Sequence, residues 1–539
     1  MARPEDYIRE ALQNGTAAPG SLAGDVARRV TRDGARSRPS MPMRRAASSM
    51  FAAASNDRLT ASWPSQPLTA DQIILRNQRV LVARSREQFA ANDYARAFVR
   101  MCRQNIVGPM GPQLNAQVKR ASGALDADVN TGLETDWATW GEAENCDVTG
   151  KRGWARIVRG CVNRAAVDGE YFVRMVYGKD AGPWGFALQT IDPQRCPVDL
   201  VEPPRPDGTF IRHGIKFNRY GRPLAYAFSS TDEREADQTY PGGFAVNWVD
   251  ASEIIHGFVE DFEGQKRGLP WMATGLFRMR HLNGFEDAVI VNARVGASKM
   301  GVIKYQPGYG PELEDGEEPP EIEAEAASFV YLPDGAELQE WNPQFPSGDT
   351  GPFVKHLLRG IAAGFGAPYN ELANDLEGVN FSSIRQGTLD SREHWKELQE
   401  WLIESLCVRV YRAWLEYQLL AGRLKSAKGT PLSAAKVDRY KAVTWQGRRW
   451  DWIDPNADLE AAEGRKNNFL ASPSSLIREQ GRDPSAVWTE TARDLRAMVD
   501  ALVGEGFKED EARKLVLQSM GQKPEPKPPA ESKKEPENA

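Results

Sequence analysis

The sequence predicts an α+β protein, and three observations carry that expectation. Apolar positions at helical spacing fill long stretches in both halves of the chain, a block at 169–255 changes to a period near two, and no repeat periodicity links the segments. With 539 residues and 41% apolar content, the chain can build real cores as one large discontinuous body with appendages.

Residues 1–67 are rich in Arg, Ala, Ser and Pro and read as a flexible, locally basic arm carrying Arg28, Arg29, Arg44 and Arg45. Residues 68–107 read as helix. It opens at Thr69, with Asp71 and Gln72 placed as in a capping box, and runs through Ile73, Val80, Phe89, Phe98 and Met101 to the Gly108-Pro109 break. A second helical block at 133–167 carries Trp137, Trp140 and Trp154 and is expected to split near Gly150.

The runs YFVRMVY, FALQTI, IRHGIKFN and PLAYAFS, separated by Gly, Pro and Asp turns, predict a mixed or antiparallel β module over 169–255. Leu276, Met279, Leu282 and Phe285 then give one apolar stripe on a helix at 270–297. A Gly, Pro and acid break at 305–325 is followed by short strands and turns in FVYLPDGAELQEW. Another helix at 352–367 stops at Gly366 to Pro368, a loop YNELANDLEGVNFSS follows, and a long helix, bent in places, spans 382–422. The last folded piece, 455–521, is helical with connectors at 471–475 and 481–484. The tail KPEPKPPAESKKEPENA has too little apolar surface to offset the entropy of ordering.

Composition narrows the function classes. A net charge of −6 is the wrong sign for a protein that clamps nucleic acid by neutralising many phosphates, although it suits one that lets a polyanion slide past. No apolar run approaches the ~18 residues of a membrane span. The charged N-terminus lacks the apolar region of a secretory signal, so synthesis and assembly in the cytoplasm are expected. Cys102, Cys146, Cys161, Cys196 and Cys407 lie far apart and read as reduced, mostly buried thiols.

The sequence contains no GxxxxGK[ST], HExxH or GxSxG. The histidines at 213, 256, 281, 356 and 394 are dispersed, with no pair at i, i+4, and read as structural or surface residues. No cofactor and no catalytic residue is expected, so the chain reads as a non-enzyme. The competing readings are a metal-dependent nuclease or hydrolase built on scattered carboxylates, and a capsid or tail component without a channel.

Several segments, in order, resemble the lambda-type family of tailed-phage portal proteins. The resemblance begins with RNQRVLVARSREQFAANDYARAFVRMCRQNIVGPMGPQL and continues through Trp137 and Trp140, the DGE turn at Asp168 to Glu170, LQTIDPQRCP and GIKFNRYGRPLAYAF. It goes on through EIIHGFVEDFEGQKRGLPWMATGL, with His256, Gln265, Arg267 and Gly268 as signature residues, to IAAGFGAPYNELANDLEGVNFSSIRQG and WDWIDPNADLEAAEGRKN.

The resemblance implies a portal fold: a wing, a helical stem, a small clip and a helical crown, assembled as a ring of about twelve subunits around an axial channel for double-stranded DNA. By the family's order, 68–269 is wing, 270–297 first stem helix, 298–350 clip, 351–367 second stem helix and 368–383 tunnel loop. A long helix returning to the wing would span 384–455, the crown 456–521, and a disordered tail 522–539. Asn374, Asp375, Glu377 and Asn380 of the tunnel loop would approach DNA. Lys299, Lys304, Lys355 and Arg359 would supply basic spots at the channel or at an interface. Glu312, Glu314, Asp315, Glu317 and Glu318 would offer a docking surface in the clip.

The implied partners are double-stranded DNA, the terminase large subunit, head-completion or connector proteins, and the major capsid and scaffolding proteins, with no membrane. The implied location is the portal vertex of the virion.

Overall fold

The computed structural model describes residues 58, 64–229, 246–297, 301–305, 334–340, 350–377, 380–450, 455–480, 482 and 484–519. The expectations for most of the N-terminal arm, for the acidic run at 312–325 and for the C-terminal tail fall outside the described residues.

The first helical region is two helices, α1 (Ala70–Ala91) and α2 (Asp93–Cys102), not one. Thr69 and Gln72 form the expected capping box of α1. Asn92 divides the pair: it is extended, closes α1, and accepts from the Ala95 N–H at 2.9 Å as the N-cap of α2. A π-turn at Arg103–Val107 then leads to β1 (Gln113–Ala116). The second block is also two helices, α3 (Ala127–Trp140) and α5 (Trp154–Asp168), separated by the short α4 (Ala143–Cys146).

The β module is antiparallel throughout. One sheet has the order β3 (Phe186–Ile191), β2 (Glu170–Tyr177), β8 (Ile254–Phe258). The other runs β4 (Phe210–Arg212), β5 (Ile215–Phe217), β6 (Pro223–Ser229), β7 (Val246–Asp250). Phe172, Ile191, Ile215, Phe217, Tyr226, Phe228 and Ile254 fill a small core between the two.

The helix α6 (Leu276–Ala297) begins six residues later than the sequence suggested, because 271–275 forms turns in which the Gly275 N–H bonds the Met272 carbonyl. Its partner α7 (Thr350–Phe365) buries Leu358, Ile361, Ala362 and Phe365, an i, i+3, i+4, i+7 face. Phe285 of α6 meets Phe353 of α7 edge to face at 5.0 Å. Between these helices β9 (Gly301–Tyr305) pairs with β10 (Ala336–Glu340).

The loop after α7 contains a short helix, α8 (Tyr369–Ala373). The long helix is three pieces: α9 (Phe381–Leu402), a second π-turn at Ile403–Cys407, and α10 (Val408–Leu420). The chain returns through α11 (Val437–Tyr440) to β11 (Val443–Gln446). Sequence reading missed the pairing of β11 with β1, which closes the body across 329 residues between Asn115 and Thr444.

The C-terminal region is four helices, α12 (Pro455–Asn467), α13 (Pro473–Glu479), α14 (Pro484–Gly504) and α15 (Glu509–Ser519). The break between the last two was not expected; Gly506, at φ 98°, makes the turn.

The main core is aromatic at its centre. Trp137 meets Trp154, Tyr411, Trp414 and Trp445 at ring distances of 5.2–5.7 Å, and Trp140 donates its indole N–H to the Phe186 carbonyl at 2.9 Å. All five cysteines are free and buried, and burial raises each thiol.

Candidate functional site

Three features stand out: a buried ion network, a short charged loop and an arginine cleft. The network starts where α5 ends. Gly169 closes α5 in the left-handed conformation, and the chain turns straight into β2 with Glu170 wholly buried. A Cβ on Gly169 would lie 2.3 Å from the Leu269 backbone, and one on Gly268 would lie 2.0 Å from the Gly169 carbonyl oxygen. The two turns therefore touch backbone to backbone, which only glycine permits.

That contact sets Arg267 against Glu170. The guanidinium donates Nη2–H to Oε1 at 2.6 Å and Nε–H at 2.9 Å, and its Nη1 serves the carbonyls of Cys196 at 3.1 Å and His213 at 2.7 Å. Glu170 also accepts from the Gly268 N–H at 3.0 Å, the Gln78 amide at 3.0 Å and His256 Nε2 at 2.9 Å. Gln265 braces the turn by donating to the Arg267 carbonyl at 2.8 Å.

Burial alone would raise the Glu170 carboxyl; the facing Arg267 charge, with His256, overcomes it and holds the group at about 2. Burial also lowers His256 despite Glu170, so His256 is the neutral donor and the charge pair is Glu170 with Arg267.

A second ion cluster lies beside the first. Arg86 of α1 grips the buried Asp168 with two bonds, at 2.7 and 2.9 Å, and reaches Asp192 at 2.6 Å. The structure thus brings together the DGE turn, Asp192 of LQTIDPQRCP, His256, and Gln265, Arg267 and Gly268. Each was legible in the sequence only as an isolated motif. Gln78 and Arg86, which join α1 to this network, lie inside the RNQRVLVARSREQFAAN segment, where nothing in the sequence sets them apart from their neighbours.

The charged loop surrounds α8. Asn374 adopts φ 51° as the C-cap of α8, and Asn380 is the N-cap of α9, accepting from the Ser383 N–H at 2.8 Å. Asp375 accepts from the Tyr369 hydroxyl at 2.6 Å and pairs with Lys355 at 3.1 Å. The tyrosine bond, a backbone N–H and Lys355 together bring its carboxyl down to about 2. Lys355 also pairs with Glu377 at 2.9 Å, so this lysine is neutralised within its own chain. Arg359 lies over the Tyr369 ring at 5.4 Å. Lys304 sits on β9 across from Glu337, while Lys299, Glu312, Glu314, Asp315, Glu317 and Glu318 lie outside the described residues.

The third feature is a cleft of about 1230 Å³ between α2 with its π-turn, α5, α8 and the segment 448–450 that follows β11. Six arginines line it, Arg100, Arg103, Arg152, Arg156, Arg159 and Arg448, against one acid, Glu371. Arg448 is fixed by the Gln104 carbonyl at 2.8 Å and Asn105 Oδ1 at 3.0 Å, and it packs on Gly108, where a Cβ would lie 2.9 Å from its side chain. Sequence reading missed this cleft, because its arginines come from segments far apart in the chain.

Residues 56–399 match the phage portal protein family of the lambda type. The chain belongs to the lambda family of phage portal proteins. Among portal relatives, the probable portal protein of Halomonas phage phiHAP-1 is 32% identical over 459 residues, covering 83% of this chain and 86% of that one. The portal protein of Escherichia phage N15 is 22% identical and portal protein B of Escherichia phage lambda 21% identical, each over 66% of this chain and 72% of its own. A chain from the neck of an empty gene transfer agent particle aligns with a TM-score of 0.40 and 15% identity, over 79% of this chain and 98% of that one. A chain from the neck of the native particle aligns with a TM-score of 0.40 and 13% identity, at the same coverage.

The portal-family match spans the buried network, the charged loop and every residue of the arginine cleft except Arg448 and Trp450.

Proposed function

We propose that the chain is one subunit of a portal ring of about twelve copies at a single capsid vertex. A packaging motor would drive double-stranded DNA in through its axial channel, and the DNA would leave by the same route at infection. The observation that carries this reading is the lambda-family portal match over 56–399.

In this reading α6 and α7 are the stem, the segment between them is the clip, and the loop around α8 faces DNA. The wing is 68–269, and the long helix returns to it before the crown at 456–521. The terminase large subunit and the head-completion proteins would take turns on the clip, whose acids at 312–318 form the docking surface, while capsid and scaffolding proteins surround the ring.

Two features support a conduit that does not grip. Twelve copies of a −6 chain give a ring of roughly −72, which repels a polyanion from its wall. In the loop, Lys355 is occupied by Asp375 and Glu377, leaving short polar and acidic groups where a clamp would need free cations. Arg359, Lys299 and Lys304 would supply the basic spots that keep DNA from being rejected.

Among the described residues no cluster of His, Cys, Asp or Glu could hold a metal ion. The test is native mass spectrometry of the purified full chain, with images of the same sample. Rings near twelve subunits with a central opening are expected. A monomer or dimer across salt and concentration, together with magnesium-dependent DNA cleavage, would replace this reading with the nuclease one.

A further inference from the structure

The arginine cleft sets six guanidinium groups against the one carboxylate Glu371. Arg152 is paired with Asp147 at 3.2 Å, and Arg159 donates to the Ala155 carbonyl at 3.2 Å, with no ion-pair partner among the described residues. Arg100, Arg103 and Arg156 have no ion-pair partner among the described residues. Such a concentration of guanidinium groups calls for an anionic occupant.

The long helix carries the matching surface. Asp390, Glu393, Glu397, Glu400 and Glu404 are spaced 3, 4, 3, 4 and are all exposed, so they form one acidic stripe along α9 and the π-turn that follows. Glu393 is held by Lys396 at 2.5 Å, whereas Glu397, Glu400 and Glu404 have no cationic partner among the described residues. At 1.5 Å per residue these three carboxylates span about 10 Å, and the arginines that would face them come from α2, its π-turn and α5.

The stripe cannot fill the cleft of its own chain. The opposite side of α9 is the buried one, with Trp395, Leu398 and Leu402 in the core. From that inner side Gln399 donates to the Asn105 carbonyl at 2.8 Å, at the wall of the cleft. The carboxylates therefore point away from their own arginines.

Single-stranded nucleic acid is a poorer fit. Among the described residues the wall holds one aromatic residue, Trp450, and guanidinium groups of Arg392 and Arg448 already lie over its ring at 5.5 and 5.8 Å, so a stacking base would have to displace them.

We infer that the cleft takes the acidic stripe of a second copy of this chain, so that Glu397, Glu400 and Glu404 of one subunit dock on Arg100, Arg103 and Arg156 of the next. The contact joins two different surfaces, and repetition of such a head-to-tail contact closes a ring when the rotation allows it. The inference rests on the ring reading above and adds to it the surfaces that join the subunits.

Two full-length charge-reversed variants test it. One carries Glu397→Lys, Glu400→Lys and Glu404→Lys; the other carries Arg100→Glu, Arg103→Glu and Arg156→Glu. In the first, cleft and stripe are both positive, and in the second both are negative, so each alone should remain monomeric by native mass spectrometry. Mixed in equal amounts they should form rings, because every junction in an alternating ring then joins opposite charges.

Circular dichroism and melting of each variant separate a lost contact from a lost fold. Folded variants that assemble alone like the wild type overturn the inference, as does a mixture of folded variants that stays monomeric. A cleft variant that assembles normally but loses a DNA mobility shift overturns it in favour of a nucleic-acid site. Failure of the wild type to form rings would instead count against the portal-ring reading itself.

Discussion

Glu170 makes a steep demand on its surroundings, because a wholly buried carboxylate is tolerable only if its charge and lone pairs are all met. Arg267, His256, Gln78 and the Gly268 N–H meet them. Removing one partner strands the other, so Arg267→Met is expected to cost about 3–5 kcal/mol in urea unfolding.

The acid dependence follows from the same pair. Glu170 is lower in the folded chain than its ordinary 4.5, so its contribution is complete above that value and is lost as pH falls toward about 2. His256 is lower folded than its ordinary 6.5, so the unfolded chain gains a proton first, and acidification below that value also favours unfolding. Urea midpoints measured from pH 7 to 3 should therefore fall in two windows. Glu170→Gln should shrink the lower window, to which Asp375 also contributes, while leaving the upper one visible. The histidine and the signature residues could be picked out in the sequence, but Glu170 as their shared partner could not, since the strand register that aligns Glu170 with Phe258 is set by tertiary pairing.

At the scale of elements, the periodicity of side chains located helices well and their ends poorly. The break at Asn92 is an example: an asparagine inside an apolar pattern reads as a tolerated polar residue, yet here it caps a helix and also donates to Asn283 at 2.6 Å. Asn92→Ala is expected to cost about 1–2 kcal/mol, read from thermal or urea unfolding. The two π-turns were invisible for a related reason: each adds one residue to a helical turn without changing the composition.

The loop around α8 gives a different expectation. Lys355 bridges its two acids, Asp375 and Glu377, so Lys355→Ala should raise hydrogen exchange at 374–377 while leaving exchange in α7 close to that of the wild type. Equal protection in both proteins would mean that Tyr369 and the backbone hold Asp375 without help.

For the whole molecule, the fold class and the order of segments were legible because local periodicity and ordered motifs survive in the sequence. The arginine cleft and the closing strand pair were not, because each joins residues hundreds of positions apart. The bonds that tie the helices α12 to α15 to the body include Arg385 with Asp458 at 3.2 Å and Gln446 with the Arg478 carbonyl at 2.9 Å, both on exposed or half-buried groups. A chain ending at Trp450 should therefore melt within about 3 °C of the full chain by circular dichroism. A much larger fall would make these helices part of the same cooperative unit.

The pairing of β1 with β11 also bears on how the chain is made. A ribosome adds ~5–20 residues per second, so β1 emerges roughly 20–60 s before its partner strand exists. During that interval the strand's backbone edge is open and the aromatic core still lacks Trp414 and Trp445. The body can close only near the end of synthesis, which makes the newborn chain, more than the finished subunit, the form most exposed to aggregation and most dependent on chaperones.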